Sequence, residues 1–283
     1  MNRRQAIQFS VCAALGASLG LSWPARLAEA ANQQENEQDI TDQFLEDYFQ
    51  KIKNFNKVHP KDIYLPKGQY VTLKETVSRL QRMERVIGHA NFHLLSFDEA
   101  LNTARNSATI GPFTRPEVDF LESMFFAAAN DYGFLGEKPI TQLTDAVPKH
   151  KVVKVPGTGN FLFRGPAEEV YHRIKTAVGA DLQLTSGIRG IAKQYLLFLT
   201  KALDSEGNLS MASRSLAPPG YSFHGIGDFD VGQVGFGAMN FTAQFTESRV
   251  FNRIKELGYL KLRYTRDNAY GVRFEPWHIR VIG

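Results

Sequence analysis

Ser222-Phe223-His224-Gly225-Ile226-Gly227-Asp228-Phe229-Asp230-Val231-Gly232 is the stretch on which the reading of this chain turns. A histidine set among glycines, ahead of an Asp-x-Asp strand start, can present an imidazole and a carboxylate to one point. A second such pairing stands in Glu275-Pro276-Trp277-His278, where a carboxylate lies three residues before an imidazole. Pro276 lacks a backbone donor and ends regular strand pairing there. Two neutral imidazoles and one carboxylate make a three-ligand zinc set that leaves a position open for water. A further carboxylate beside that water, and off the metal, is placed to act as general base. Pattern alone leaves a second reading open, two unrelated histidines in a Gly-rich fold.

The other histidines read as structural or exposed. His172 sits within a helical pattern, and His59 precedes a proline in a polar loop. His89 and His93 have the i,i+4 spacing that can hold a metal. Gly88 and Asn91 nevertheless put them in a loop, with no carboxylate near enough in the pattern to complete a site.

Outward from these motifs the chain has two textures. From Val152 onwards short strands, glycines and turns predominate. Val152–Val155, Leu182–Thr185 and Leu260–Tyr264 read as strands, with Tyr270–Glu275 paired to the last across an Asp267-Asn268 turn. Helices read at Ala167–Val178 and Ile191–Leu203, and in a stripe through Val250, Ile254 and Leu257 closed by Gly258. Strands with helices on one side make an α+β domain, 151–283.

The preceding region, 31–150, is all-helical in pattern. Phe44, Leu45, Tyr48, Phe49, Ile52 and Phe55 recur at helix-face spacing. Thr72 with Glu75, Ser96 with Glu99, and Thr114 with Glu117 match the capping box at a helix start. Leu73, Val77, Leu80 and Ile87 form a stripe with Gly88 as its stop, and the third helix is expected to run on towards Gly133. The role of this region is not legible.

Residues 1–30 read as an export signal. Arg3 and Arg4 precede an apolar Ala/Gly/Leu-rich stretch, and Ala28-Glu29-Ala30 supplies a small-x-small cleavage pattern. The arginine pair partly resembles a twin-arginine signal. An uncleaved anchor is the alternative, and in either case this segment is the only expected contact with a membrane. Of 33 Lys+Arg and 29 Asp+Glu, removal of Arg3, Arg4, Arg26 and Glu29 leaves 30 and 28, a net of +2. The single cysteine, Cys12, leaves with the signal. One cysteine excludes a disulfide framework and any multi-thiolate zinc site. No basic run is interleaved with aromatics, so a nucleic-acid partner is not expected.

Three runs together resemble a known family. Glu275-Pro276-Trp277-His278-Ile279-Arg280-Val281-Ile282-Gly283 is similar to the closing signature of VanY-type D-alanyl-D-alanine carboxypeptidases. Ala217-Pro218-Pro219-Gly220-Tyr221-Ser222-Phe223-His224-Gly225-Ile226-Gly227 resembles that family's APPGxSxHxxG stretch. Thr185-Ser186-Gly187-Ile188-Arg189-Gly190, with Gln194 following in a helix, resembles its SGYRS…Q segment. The runs keep the family's order and span 185–283; the helical region is not covered.

The resemblance implies a small, mostly antiparallel sheet with flanking helices, of the kind shared by D-Ala-D-Ala peptidases and hedgehog domains. It implies one zinc ion (Zn2+) per chain, held by His224, Asp230 and His278. Glu275 would be the catalytic base. Arg189 would polarise the peptide carbonyl or hold the substrate carboxylate, with Ser186, Gln194, Ser222 and Trp277 as further substrate contacts. One departure bears on the ligand set. The family places its aspartate seven residues after the first histidine, where this chain has Val231. A one-residue deletion leaves Asp230 as the ligand, since Val231-Gly232 follows as in the family, and Asp228 is the runner-up. Ile188 stands where tyrosine is usual.

The expected function is therefore that of an exported, periplasmic or cell-envelope zinc peptidase, acting on peptidoglycan stem peptides and removing terminal D-alanine. A D,D-endopeptidase, an L,D-carboxypeptidase and a non-enzymatic wall-binding protein are the alternatives. Oligomeric state is not legible.

Overall fold

A computed structural model describes residues 43–281. The chain falls into two units, Met1–Asp47 and Tyr48–Gly283. The described residues 43–47 of the first unit are helical, and everything below concerns the second. The segment read as an export signal lies outside the described residues. Among those described, no helix is long and apolar enough to cross a membrane.

Helix α1, Tyr70–Ile87, buries Leu73, Val77, Leu80 and Met83, one stripe at helical spacing. It does not start at Thr72. A 3-10 turn over Lys67–Gln69 runs straight into it, so Thr72 is already helical and no extended residue is there to cap. Gly88 ends the helix with φ 83° and ψ 144°, a positive φ outside the left-handed helical region. A single turn, α2 (His89–Phe92), follows at once.

The other two capping boxes form as read. Ser96 and Glu99 start α3 (Phe97–Arg105), and Thr114 and Glu117 start α4 (Arg115–Phe126). Helix α4 stops before the alanines. Ala127 is already non-helical, and Gly133 closes a separate 3-10 turn at Ala129–Tyr132.

Strands β1 (Val152–Val155) and β2 (Asn160–Phe163) form an antiparallel hairpin. After α5 (Pro166–Val178), β3 (Leu182–Ser186) joins a three-stranded antiparallel sheet with β4 (Phe229–Gln233) at its centre and β5 (His278–Ile279) on the far side. Between β3 and β4 lie α6 (Ile191–Asp204) and the short α7 (Leu209–Ser213); α8 (Arg249–Glu256) follows β4. The fold is α+β.

Two apolar cores organise this unit. Leu182, Leu184, Phe229, Val231 and Ile279 of the sheet pack with Tyr171 and Ile174 of α5 and with Val250 and Ile254 of α8. The second core joins the stripe of α1 to Phe120, Leu121 and Phe125 of α4 and to Ile191, Tyr195, Phe198 and Leu199 of α6. Helix α6 is therefore the element through which the N-terminal helices reach the segment beside the sheet.

The expected hairpin between 260–264 and 270–275 does not form as a ladder. Only a single bridge, Leu262 to Ile279, involves the first segment, and it goes to β5. One backbone bond joins the two segments, from Glu275 N to Tyr264 O, and other groups find partners elsewhere: Arg273 N donates to Arg214 O, Leu135 N to Tyr270 O and Arg280 N to Lys261 O. The Asn268 side chain holds the turn by donating to Thr265 O and Val272 O. A loop whose polar groups are satisfied from several directions has no need of a ladder.

Candidate metal centre

Side chains alternate across a strand, so the burial of Phe229 and Val231 against α5 and α8 turns Asp228 and Asp230 to the other face. The register then assembles the site. Asp230 pairs with His278 across β4–β5 and with Ser186 across β3–β4, where an irregularity between Leu184 and Ser186 shifts the ladder. His224 arrives from a 3-10 turn, Phe223–Gly225, just ahead of β4. Gly225 packs closely there: a Cβ would stand 2.4 Å from Ile140 Cδ1, so a larger residue would have to displace the end of that side chain.

His224, Asp230 and His278 converge, with candidate ligand atoms all within 4.8 Å of one another. His224 Nε2 and His278 Nδ1 are each 3.2 Å from Asp230 Oδ1. The other nitrogen of each ring is engaged elsewhere. His224 Nδ1 lies 2.8 Å from Gly187 O, a bond that in the neutral ring puts the proton on Nδ1 and leaves Nε2 as a lone pair. His278 Nε2 lies 3.0 Å from Asp228 Oδ2.

Asp228 is itself fixed, by Arg263 Nε at 2.5 Å and by Val281 N at 2.9 Å. The two aspartates thus have separate places: Asp230 lies between the imidazoles, and Asp228 lies behind one of them. Buried within this convergence, His224 Nε2 and Asp230 Oδ1 have no hydrogen-bond partner.

Around the three stand the other residues singled out in the sequence. Glu275 Oε2 is 3.9 Å from His278 Nδ1, and Arg273 Nε is 3.6 Å from Glu275 Oε1. Arg189 donates from Nε to Ser186 Oγ at 2.9 Å and from Nη2 to Asp230 Oδ2 at 2.5 Å. Its loop is braced by Gln194, which donates to Arg189 O at 2.8 Å and accepts from Gly220 N at 2.8 Å. Ser186, Arg189, Ser222, Glu275 and Trp277 line one cleft of ≈ 320 Å³ with His224, Asp230 and His278. Gln194 stands behind that wall.

Electrostatics follow from burial among these charges. Burial lowers the His224 pKa to about 4, with the Arg189 charge acting in the same direction. Burial also opposes charge on His278, but the bond to Asp228 and the nearby carboxylates of Asp228 and Asp230 outweigh it and push that pKa up to about 9. Asp230 is held well below the usual carboxylate range; the charges of His224 and Arg189 overcome its desolvation. Asp228 is lowered to about 2, its desolvation overcome by His278 and Arg263. Glu275 moves the other way, raised by burial.

The sequence did not signal Arg263, which reaches Asp228 from 35 residues away. It also misjudged His89 and His93. They lie in and directly after a helical turn, and a carboxylate is close: Glu84 Oε1 is 2.8 Å from His89 Nδ1. Glu84 is five residues upstream on α1, and the break at Gly88 allows the two to meet. Lys193, early in α6, lies 2.8 Å from the same oxygen. His89, His93 and Lys193 line the cleft as well.

No curated protein matches the sequence significantly. Among solved structures, the chain is similar to an LdcB LD-carboxypeptidase at 22% identity and a TM-score of 0.38. That match covers 44% of this chain and 60% of the other, so the chain spans less than two thirds of that protein's length. A mutant of the vancomycin resistance D,D-pentapeptidase VanY in complex with Zn(II) matches at 22% identity and a TM-score of 0.37, over 48% of this chain and 83% of the other. VanYB in complex with D-alanine-D-alanine matches at 23% identity and a TM-score of 0.38, over 47% and 77%. The sequence profile of the VanY family, D-alanyl-D-alanine carboxypeptidase, matches residues 167–283, the segment that carries β3 to β5, Arg189, Glu275 and the converging His224, Asp230 and His278. The likeness to the VanY family of hydrolases is thus carried by residues 167–283, the segment that holds the converging side chains.

Proposed function

We propose that this chain is an exported zinc-dependent peptidoglycan peptidase that removes terminal D-alanine from stem peptides. The observation that carries the reading is the pair of buried, unpartnered atoms, His224 Nε2 and Asp230 Oδ1, facing one point with His278 Nδ1. Leaving buried polar atoms unpaired costs about 1–3 kcal/mol each, and a cation of zinc type relieves both. Two imidazoles and a carboxylate suit zinc and leave coordination open, and Asp228 behind His278 orients that ring as carboxylate–histidine pairs do at such sites. A relative of the same family is described in complex with Zn(II).

Zinc bound there supplies Lewis acidity and makes water easier to deprotonate near neutral pH. The remaining chemistry belongs to the chain. Glu275, raised by burial, takes the proton from the attacking water. As the new C–O bond forms and the C–N bond breaks, Glu275 returns that proton to the departing D-alanine amine. Arg189, oriented by Ser186 and Asp230, presents a guanidinium to the peptide carbonyl or the terminal carboxylate. Ser222 and Trp277 supply neighbouring cleft surface. Export through residues 1–30, and a catalytic region over 151–283 preceded by a helical region over 31–150, complete the reading.

The test uses a D-Ala-D-Ala-terminated muropeptide. The protein is expected to release free D-alanine in a zinc-dependent manner, identified by mass spectrometry of both products. Glu275→Gln is expected to lose at least about a hundredfold in kcat while retaining its metal. Activity that survives complete chelation, or full activity in Glu275→Gln, would sink the reading. Products from cross-linked or tetrapeptide substrates alone would replace the carboxypeptidase by an endopeptidase or an L,D-carboxypeptidase.

A further inference from the structure

A second group of ligating side chains stands on the same cleft. Glu84, His89 and His93 offer one carboxylate and two imidazoles, with candidate atoms all within 4.8 Å. His93 is 2% exposed, and neither of its ring nitrogens has a hydrogen-bond partner. Its ring packs against that of His89, 4.3 Å between centroids, and both line the cleft. A buried imidazole with two unsatisfied nitrogens is costly unless something occupies it, and a neighbouring histidine, its ring tilted 59° to the first, with a carboxylate beside it supplies a zinc-type donor set.

We propose that Glu84, His89 and His93 form a second divalent-cation site of zinc type, separate from His224, Asp230 and His278 and independent of the peptidase reading. The site comes from residues outside the segment that matches the family profile. His89 is exposed, so its ring can rotate to shorten the 4.8 Å span to what zinc bonds of about 2.0–2.1 Å allow. In the metal-free arrangement Glu84 Oε1 meets both His89 and Lys193. An entering cation displaces the His89 contact and must compete with the Lys193 ammonium. Lys193 therefore weakens the site, and its removal tightens it.

The experiment counts zinc bound to the full chain by equilibrium dialysis and elemental analysis, with zinc alone as the probe. About two ions per chain are expected in the wild type, and about one in His89→Ala, His93→Gln or His224→Ala. His89→Ala alters an exposed side chain, so it reports even where the buried His93 variant fails to fold. Lys193→Gln is expected to bind the second ion about fivefold more tightly or better. If His89→Ala holds as much zinc as the wild type, the inference is overturned. Loss of all zinc in His224→Ala would overturn it too and leave the peptidase reading standing. Zinc retained in full by His224→Ala but reduced in His89→Ala would uphold this site and sink the other.

Discussion

Asp230 and His278 are direct cross-strand partners in the β4–β5 ladder, and this pairing brings a carboxylate and an imidazole to 3.2 Å across 48 residues of sequence. Register sets the contact: a slip by one residue would turn Asp230 into the apolar core and Phe229 into the cleft. The apolar burial of Phe229, Val231 and Ile279 therefore fixes the polar site on the opposite face. Asp228 shares that face, but Arg263 and Val281 hold it behind His278.

That division of labour predicts different outcomes for the two aspartates. Asp228→Asn keeps the shape but weakens acceptance from His278 Nε2 and removes the negative charge that the buried Arg263 meets at 2.5 Å. Zinc affinity is expected to fall about 10- to 100-fold, measured by competition with a chromophoric chelator. Asp230→Asn, which removes a charged donor from the convergence itself, is expected to lose more. Equal losses for the two variants would show that the places assigned to them are wrong.

Arg189→Lys tests whether the planar fork matters beyond its charge. Arg189 bonds Ser186 through Nε and Asp230 through Nη2, a two-point hold that a single ammonium lacks. With zinc content unchanged, kcat/KM on a D-Ala-D-Ala-terminated peptide is expected to fall about 10²- to 10³-fold. Steady-state kinetics beside metal analysis checks this, and a variant with wild-type kcat/KM would relieve Arg189 of its proposed role.

Much of this was legible in the sequence, and the parts that were not share a physical cause. Ser96 and Thr114 announced their helices because a capping box is a local device, complete within four residues. His224, Asp230 and His278 were singled out by two short runs of sequence, and these three side chains do converge. Thr72 misled because capping also needs an extended residue at that place, and the turn at Lys67–Gln69 denies it. The 260–264 and 270–275 segments looked like a hairpin, yet one backbone bond joins them and their other backbone partners include Arg214, Leu135 and Arg280, choices made by tertiary packing. Arg263 at Asp228 and Glu84 at His89 depend on distances through space that periodicity does not encode.

Gly190 links the helical region to the Arg189 loop, and its substitution is expected to loosen both. Its N–H donates to His93 O at 2.7 Å, and an added Cβ would stand 2.7 Å from Leu95 O. Backbone on the receiving side yields less readily than the end of a flexible side chain. Gly190→Ala is expected to cost about 1–3 kcal/mol in urea unfolding, and to reduce activity by disturbing its neighbour Arg189. Gly68→Ala, where a Cβ would meet nothing within 4 Å, is the control and is expected to lie within about 0.5 kcal/mol of wild type.

A buried ion pair far from β4 sets the last expectation, on acid stability. Arg214 Nη1 meets Asp62 Oδ1 at 2.6 Å, with side chains only 5% and 1% exposed, and Asn208 and His59 N also donate to that carboxylate. Desolvation opposes ionisation of Asp62, but the bonds from Arg214 and Asn208 prevail and its pKa lies below the ordinary 3.8. A depressed folded-state pKa stabilises the protein above the unfolded value, and that contribution is lost as pH falls through the folded one. Asp62→Asn leaves the Arg214 charge buried and uncompensated, at an expected cost of about 3–5 kcal/mol at pH 7. The gap between the two proteins should then narrow as the pH is lowered from about 4 towards 2, because the wild type alone loses the ionised partner. Urea denaturation of both across that range checks the sign, and a gap that widened on acidification would contradict it.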